Sequence, residues 1–231
     1  MKKDLSQIDL ISINCVNPSE SIAAIEYCTR FFTFGKSILI TDQFIEHPDI
    51  TIINISSLTW NSYNDFVLKL IDYSDNDYVM LIQDDGHIVN PDLWDDSYLD
   101  YDYIGAPWPI EESWISLQFP NQQNIMRDIF PKNRVGNGGF CLRSKKFLQF
   151  SSQFNTCGGI GEDSYLCTSK YLDAIDYGIK FAPLELSMKF SYENPLGNWN
   201  QKINFDEAKH FGWHGKNFIN TSYLLNLKHT I

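Results

Sequence analysis

The chain has 231 residues, enough for one large domain with a substantial core. Its formal net charge of −11 argues against nucleic acid or an anionic membrane surface as the main partner, because both require a basic face on the protein. The 43% hydrophobic and 20% charged residues are typical of a soluble globular protein.

Five cysteines are spread along the chain without a Cys-x-x-Cys pair, and they are Cys15, Cys28, Cys141, Cys157 and Cys167. The odd number and the spacing argue against a disulfide framework or a zinc site and favour a reducing compartment. No long apolar stretch follows the two N-terminal lysines, and no uncharged apolar run approaches the roughly 20 residues of a membrane span. We therefore expect a cytoplasmic protein without a transmembrane segment.

The first 90 residues alternate between predicted strands and helices. A β-branched run at residues 8–15 predicts a buried strand, and Asn17 and Pro18 predict the cap and first position of a helix reaching about residue 32. Strands are also predicted at residues 37–42, 49–55 and 78–82, with a helix at residues 60–73. This order is largely βαβ and implies a mostly parallel sheet.

Two adjacent carboxylates, Asp84 and Asp85, follow the strand at residues 78–82 and precede Gly86. Such a pair brings negative charge to the carboxyl edge of an open α/β sheet, where ligands bind. Mg²⁺ and Mn²⁺ take oxygen ligands from one or two carboxylates and from phosphate, so the pair predicts a divalent cation with a phosphate-bearing substrate. A solvated turn is the alternative, because Asp-Asp-Gly is ordinary turn chemistry.

Three further polar residues follow neighbouring predicted strands, namely Cys15, Asn17 and Asp42. The carboxyl ends of parallel strands meet at one edge, so these residues would border a crevice of nucleotide size. A dinucleotide fold is not expected, because no Gly-x-Gly-x-x-Gly loop follows the first strand.

The second half of the chain lacks the regular alternation of strands and helices predicted for the first half. A short strand ended by prolines is predicted at residues 103–109, and further strands at 179–183 and 187–193. Residues 111–134 show no convincing periodicity. We interpret this long loop as a lid on the acceptor side, that is, over the part of the crevice where a second substrate would bind. The alternative is plain disorder.

Three motifs in this half carry candidate functional residues. Gly138 and Gly139 join a flexible loop to a strand, and glycines let a backbone approach a ligand closely. Glu162 and Asp163 open a predicted helix at residues 163–175, where capping is the alternative role for both carboxylates. His214 lies between an aromatic residue and a glycine, and imidazole suits Mn²⁺ or a phosphate.

Taken in order, these motifs resemble those of the GT-A glycosyltransferases, and more narrowly a family of small GT-A-like proteins known mainly as a domain of unknown function. The matching segments lie between about residues 78 and 215, and they are 83–85, 102–108, 136–140, 162–163, 181–193 and 211–215. The resemblance implies one GT-A-like, Rossmann-like α/β domain over residues 1–231, with a mostly parallel central sheet flanked by helices. It also implies a nucleotide-binding half at residues 1–90 and an acceptor-side half at residues 91–231.

The implied activity is transfer of a sugar from a nucleotide-diphosphate sugar to a hydroxyl of a glycan, lipid-linked or protein acceptor, assisted by Mn²⁺ or Mg²⁺. By the resemblance, Asp85 matches the metal-binding aspartate and His214 the late histidine that completes the metal shell or contacts the diphosphate. Asp163 matches the catalytic base of inverting members, with Glu162 as the substitute candidate. The expected nucleotide contacts are Cys15, Asn17, Asp42, Asp84, Gly138 and Gly139.

Gln83 departs from the pattern of the resembled family, which has a carboxylate at the first position of its acidic motif. This departure leaves the metal requirement open. It favours an alternative from another class, a non-catalytic sugar- or nucleotide-binding module with the same fold. Retention of Asp85, Asp163 and His214 together favours the enzyme, because a pure binding module does not need a base.

Overall fold

The computed structural model describes residues 2–109, 115–116, 123–129, 132–194 and 209–215. The strands are β1 (Lys3–Leu5), β2 (Ile8–Ile13), β3 (Phe32–Phe34), β4 (Ser37–Thr41), β5 (Thr51–Asn54), β6 (Tyr78–Ile82), β7 (His87–Ile88), β8 (Tyr103–Gly105), β9 (Phe140–Ser144), β10 (Ser191–Tyr192) and β11 (Gly212–Trp213). The α-helices are α1 (Pro18–Cys28), α2 (Trp60–Val67), α3 (Gln123–Ile129), α4 (Lys145–Ser151), α5 (Glu162–Ser164), α6 (Tyr171–Tyr177) and α7 (Leu184–Phe190).

A six-stranded sheet with the order β5-β4-β2-β6-β9-β8 forms the centre of the fold. Strands β5, β4, β2 and β6 are parallel, whereas β9 runs antiparallel to both β6 and β8. Ile11 on β2 lies opposite Ile38 on β4 and Leu81 on β6. The expected α/β class with a mostly parallel central sheet flanked by helices is confirmed.

Both faces of this sheet are covered, which explains why its strands read as continuous apolar runs. On β6, Val79 and Leu81 belong to one buried cluster and Met80 and Ile82 to the other. Helices α2 and α4 pack on the first face, and α1 and α7 on the second. No helix in the described ranges combines the length and the apolar composition of a membrane span.

The first helix ends earlier than its periodicity predicts. Asn17 and Pro18 begin it as expected, but α1 stops at Cys28 and Phe32 starts β3, which pairs with β1. The ring of Phe32 packs between Trp94 and Phe211, at centroid distances of 6.0 and 5.8 Å. Because this contact joins residues far apart in sequence, local periodicity could not indicate it.

Two strand predictions in the second half of the chain are wrong. Residues 179–183 form only an isolated bridge from Phe181 to Tyr103, and residues 187–193 are mostly the helix α7, followed by the short strand β10. Pro183 is the N-cap of α7, and a proline cannot donate a ladder hydrogen bond. Ser187 and Phe190, three residues apart, form the buried side of this helix.

Other predicted segments are interrupted. The helix expected at residues 60–73 ends at Val67 and continues as a 3₁₀ turn at Leu70–Tyr73. The helix expected at residues 163–175 begins at Glu162, passes through a π turn at Tyr165–Ser169 and restarts as α6. The predicted lid, residues 111–134, contains α3, which was not predicted, and otherwise lies largely outside the described residues.

Candidate functional site

A pocket of about 550 Å³ opens at the carboxyl edge of the parallel strands. Its volume lies within the range of small-molecule sites. Its walls come from the segments after β2 and β6 and from the start of α2; the lining residues are Ile13, Asn14, Cys15, Val16, Asn17, Leu58, Thr59, Trp60, Tyr63, Gln83 and Asp84. The crevice predicted from the strand ends is therefore present, with Cys15, Asn17 and Asp84 in its wall. Asp42 follows β4 at the same edge but is not among the lining residues.

Asn14, which belongs to no motif of the sequence, shapes the loop after β2. Its side-chain oxygen accepts the backbone N–H groups of Val16 and Asn17, both at 2.8 Å. Its amide nitrogen donates to the Asn17 carbonyl and to the Ser21 hydroxyl, both at 3.1 Å. The loop is thus held in one conformation that presents Cys15 and Val16 to the pocket.

The opposite wall carries Trp60, whose side chain is 61% exposed. Its backbone is fixed, because Thr59 and Ser62 form a capping box at the start of α2 and Asn64 donates to the Trp60 carbonyl at 2.8 Å. An exposed indole on a fixed backbone is a preformed flat surface, suited to stacking on a planar ring.

The small sheet of β10, β11 and β7 brings His214 to the acidic turn after β6. Trp213 on β11 lies opposite His87 on β7, and the His214 N–H donates to the Tyr192 carbonyl at 2.9 Å. In this position the His214 Nε2 atom lies 3.3 Å from the Asp85 Oδ1 atom. Two of the residues expected to share a site are therefore adjacent, although 129 positions separate them in the sequence.

Two more side chains contact this imidazole. The Gln83 Oε1 atom lies 3.0 Å from Nε2, and the Glu193 Oε1 atom lies 3.5 Å from Nδ1. The other end of the Gln83 amide donates a long hydrogen bond of 3.4 Å to the Tyr63 hydroxyl. Burial alone would lower the pKa of His214, but hydrogen bonds and charge from Asp85 and Glu193 outweigh it and raise this pKa to about 10.

The glycines of the loop before β9 are explained by the packing of these side chains. A Cβ at Gly139 would lie 2.0 Å from His214 Nε2, and a Cβ at Gly138 would lie 2.5 Å from Glu162 Oε1. Neighbouring loop residues thus make room for the histidine and for the acidic pair. That the two glycines also contact a nucleotide stays a prediction.

Asp163 is joined to the same loop. Its Oδ2 atom accepts the Gly138 N–H at 3.0 Å, and its Oδ1 atom accepts the Ser164 N–H at 2.6 Å. The carboxylate therefore serves the first turn of α5 and also fixes the glycine loop. Burial and the charge of Glu162 raise the pKa of Asp163 to about 7, which is close to the value that suits a general base at neutral pH.

Glu162 is engaged elsewhere. Its two carboxylate oxygens accept hydrogen bonds of 2.9 and 3.1 Å from one nitrogen of Arg143, whose side chain is fully buried. The guanidinium lies over the ring of Tyr103, 5.5 Å from its centroid. Because both oxygens of Glu162 are bonded to Arg143, the arrangement favours a structural role for that carboxylate over the predicted substitute base.

The groups around His214 fit a divalent cation as part of a substrate complex. Across the described part of the chain, no three His, Cys, Asp or Glu side chains converge so that they could hold a metal by themselves. Mg²⁺ and Mn²⁺ bound with a phosphate substrate need only one or two carboxylates. Adjacent ligands of an octahedral ion lie about 3 Å apart, and Asp85 Oδ1 and His214 Nε2 are 3.3 Å apart. Glu193 faces the other ring nitrogen, as carboxylates do behind metal-bound histidines.

Comparison with solved structures places the chain among glycosyltransferases in fold. The galactosyltransferase LgtC in complex with donor and acceptor sugar analogues aligns with a TM-score of 0.53 and 11% identity, over 96% of each chain. An active-site mutant of LgtC gives a TM-score of 0.54 and 12% identity, over 96% of this chain and 95% of LgtC. The bifunctional glycosyltransferase WbbM gives 0.55 and 10%, over 92% of this chain and 46% of WbbM.

Identities this low establish the fold alone, and this fold is GT-A. Among curated proteins, none matches the sequence. A family profile does match, over residues 51–214, and the family is DUF5672, described as proteins of unknown function. Since this match spans more than half of the chain, the protein is a member of the DUF5672 family.

Proposed function

We propose that the protein is a glycosyltransferase that moves a sugar from a nucleotide-diphosphate sugar to a hydroxyl acceptor, with a divalent cation and inversion of the anomeric centre. One observation carries the proposal. Asp85 and His214 lie 3.3 Å apart at the carboxyl edge of a GT-A sheet. They adjoin Gln83 and Asp84, which border a pocket of about 550 Å³. This is where a GT-A enzyme would hold a metal beside its donor.

A division between the two halves of the chain is part of the proposal. Every residue lining the pocket precedes position 90, which supports a nucleotide-binding role for residues 1–90. Asp163 and His214 come from residues 91–231, the half assigned to the acceptor side. All five cysteines are free thiols, which suits the reducing cytoplasm as the compartment.

The proposed reaction assigns a role to each of these groups. Asp85 and His214 would hold Mn²⁺ or Mg²⁺, and the bound cation would stabilise the negative charge that develops on the departing diphosphate. The acceptor oxygen attacks the anomeric carbon as the bond from that carbon to the diphosphate breaks. Its bonding electrons leave with the diphosphate. The Asp163 carboxylate takes the hydroxyl proton of the acceptor, so charge and atoms balance.

Replacing Asp85 by alanine tests the proposal without knowledge of the acceptor. We expect Mn²⁺-dependent binding of a nucleoside diphosphate to weaken more than about 10-fold, because even outer partners of metal ligands contribute about 10–100-fold to affinity. The measurement is a calorimetric titration of UDP, GDP, ADP and CDP, each with Mn²⁺ and with a chelator. Asp49→Ala, which changes an exposed acidic residue before β5, is the matched control. Equal affinity of the wild type and Asp85→Ala for every nucleotide would contradict the metal site.

Trp60 provides a second prediction, on the nucleobase. Stacking of a base on an aromatic side chain contributes about 1–3 kcal/mol. We therefore expect Trp60→Leu to weaken nucleoside diphosphate binding about 10-fold, whereas Trp60→Phe retains most of it. Pyrophosphate with Mn²⁺ should bind all three proteins equally, because it carries no base.

Phe44→Leu is the control for this experiment. Phe44 is an aromatic residue, 94% exposed, that follows β4 at the same edge of the sheet but does not line the pocket. If Trp60→Leu and Phe44→Leu bind nucleotides equally well, the base does not stack on Trp60.

The alternative function, a non-catalytic binding module, is favoured by one feature, Gln83 in place of a carboxylate. A panel of nucleotide sugars with Mn²⁺ separates the two. The enzyme releases free nucleoside diphosphate by transfer or slow hydrolysis, whereas the module binds the donor and releases it intact.

A further inference from the structure

Gln83 occupies the position at which the resemblance to the GT-A glycosyltransferases implies a carboxylate, and its side chain is turned toward the candidate metal site. Its Oε1 atom lies 3.0 Å from His214 Nε2, the nitrogen that also lies 3.3 Å from Asp85 Oδ1. An amide oxygen and a carboxylate oxygen thus both lie within 3.3 Å of one imidazole nitrogen.

The orientation of this amide is set by its surroundings. The Gln83 amide nitrogen donates to the Tyr63 hydroxyl at 3.4 Å, so the oxygen is directed toward His214. Burial raises the pKa of Tyr63, which keeps its hydroxyl protonated. The backbone is fixed as well, because the Gln83 N–H donates to the Gly139 carbonyl at 2.9 Å.

We infer that Gln83 is a neutral oxygen ligand of the divalent cation, and that the cation therefore binds tightly only together with the diphosphate of the donor. This inference rests on the proposed function. Adjacent ligands of an octahedral cation lie about 3 Å apart, which the distances from His214 Nε2 to the other two atoms match. Amide oxygens are accepted ligands of hard cations.

The charge of this ligand set explains the coupling. Asp85 supplies one negative charge, and the amide of Gln83 and a metal-bound imidazole supply none. A divalent cation on these ligands would keep a net positive charge, which the diphosphate neutralises. By linkage, the factor by which a nucleoside diphosphate tightens Mn²⁺ binding equals the factor by which Mn²⁺ tightens nucleotide binding.

The test is a titration of the full chain with Mn²⁺, in which the electron paramagnetic resonance signal reports the concentration of the free ion. The titration is done without a nucleotide and then with UDP, GDP, ADP or CDP. Wild type should bind Mn²⁺ alone weakly, and at least one nucleotide should tighten this binding 10-fold or more. Gln83→Glu adds a charge at the same place, so we expect Mn²⁺ alone to bind about 10-fold tighter and the gain from the nucleotide to shrink correspondingly. Gln83→Leu removes this oxygen, so it should weaken Mn²⁺ binding in the presence of the nucleotide.

Gln149→Glu is the matched control, because it makes the same chemical change at an exposed position of α4. If Gln83→Glu binds Mn²⁺ like Gln149→Glu while Asp85→Ala loses it, Gln83 is not a ligand and the proposed function stands. If Mn²⁺ and nucleotides bind wild type and Asp85→Ala alike, or bind neither, both the inference and the proposed metal site are overturned.

Discussion

Replacing Asp163 by asparagine is expected to reduce sugar transfer by about 10²–10⁴-fold, the usual contribution of a general base. The Asp163 carboxylate accepts hydrogen bonds from Gly138 and Ser164, and Gly139, the next residue of the glycine loop, packs against the His214 ring. Asparagine keeps the size and one acceptor oxygen, so it can still accept from one of these two donors. We expect unfolding free energy to fall by only about 1 kcal/mol, the net contribution of one hydrogen bond.

The pH dependence of the reaction gives a second readout of the same residue. The pKa of Asp163 is raised to about 7, first by burial and then by the charge of Glu162, with a smaller contribution from Glu193. Because the base acts in its ionised form, kcat/KM should rise with pH and level off above a midpoint near 7. The residual activity of Asp163→Asn should lack this limb.

Asp173→Asn is the control, because Asp173 is an exposed residue of α6 whose partner is Lys170. A stable Asp163→Asn protein with full activity would leave Asp163 as a structural link between α5 and the glycine loop. The base would then have to be Glu162 or a residue of the segment at 111–134, or the enzyme would be retaining.

We expect the largest loss of stability from breaking the ion pair between Arg143 and Glu162, which lies next to the glycine loop. Arg143 is fully buried and donates two hydrogen bonds to Glu162, and its Nε donates to the Cys141 thiol at 3.2 Å. Arg143→Met would leave the Glu162 carboxylate buried without a partner. Breaking a buried pair in this way costs about 3–5 kcal/mol of unfolding free energy.

Urea denaturation of two further variants separates charge from packing. The double variant Arg143→Met, Glu162→Gln removes both charges, so it should regain a substantial part of the lost stability. Lys170→Met breaks the exposed pair with Asp173 and should cost less than about 1 kcal/mol. If Arg143→Met costs no more than Lys170→Met, the buried pair does not stabilise the site.

The parallel half of the sheet could be predicted from sequence because its signals are local. Strands β2, β4 and β6 are short apolar runs bounded by polar residues, and Pro18 marks the start of α1. The βαβ order alone then predicts that the carboxyl ends of these strands meet at one edge of the sheet. It also predicts the location of the pocket that they border.

The candidate site could be predicted only in part. Nothing local indicates that His214 meets Asp85, and only the resemblance to GT-A enzymes brought these two residues together. Glu193 reaches His214 through the pairing of β10 with β11, two strands of two residues each, which no periodicity can reveal. In sequence, Gln83 is only a departure from the carboxylate of the resembled family, because nothing local indicates its hydrogen bonds to Tyr63 and His214.

The most direct test of the account is the position of Mn²⁺ by anomalous diffraction from crystals grown with Mn²⁺ and a nucleoside diphosphate. The account predicts a peak at about 2.1–2.2 Å from the Asp85 carboxylate and the His214 imidazole. It also predicts the diphosphate on the same ion and the base in the pocket beside Trp60. A peak elsewhere, or a nucleotide outside that pocket, would contradict it.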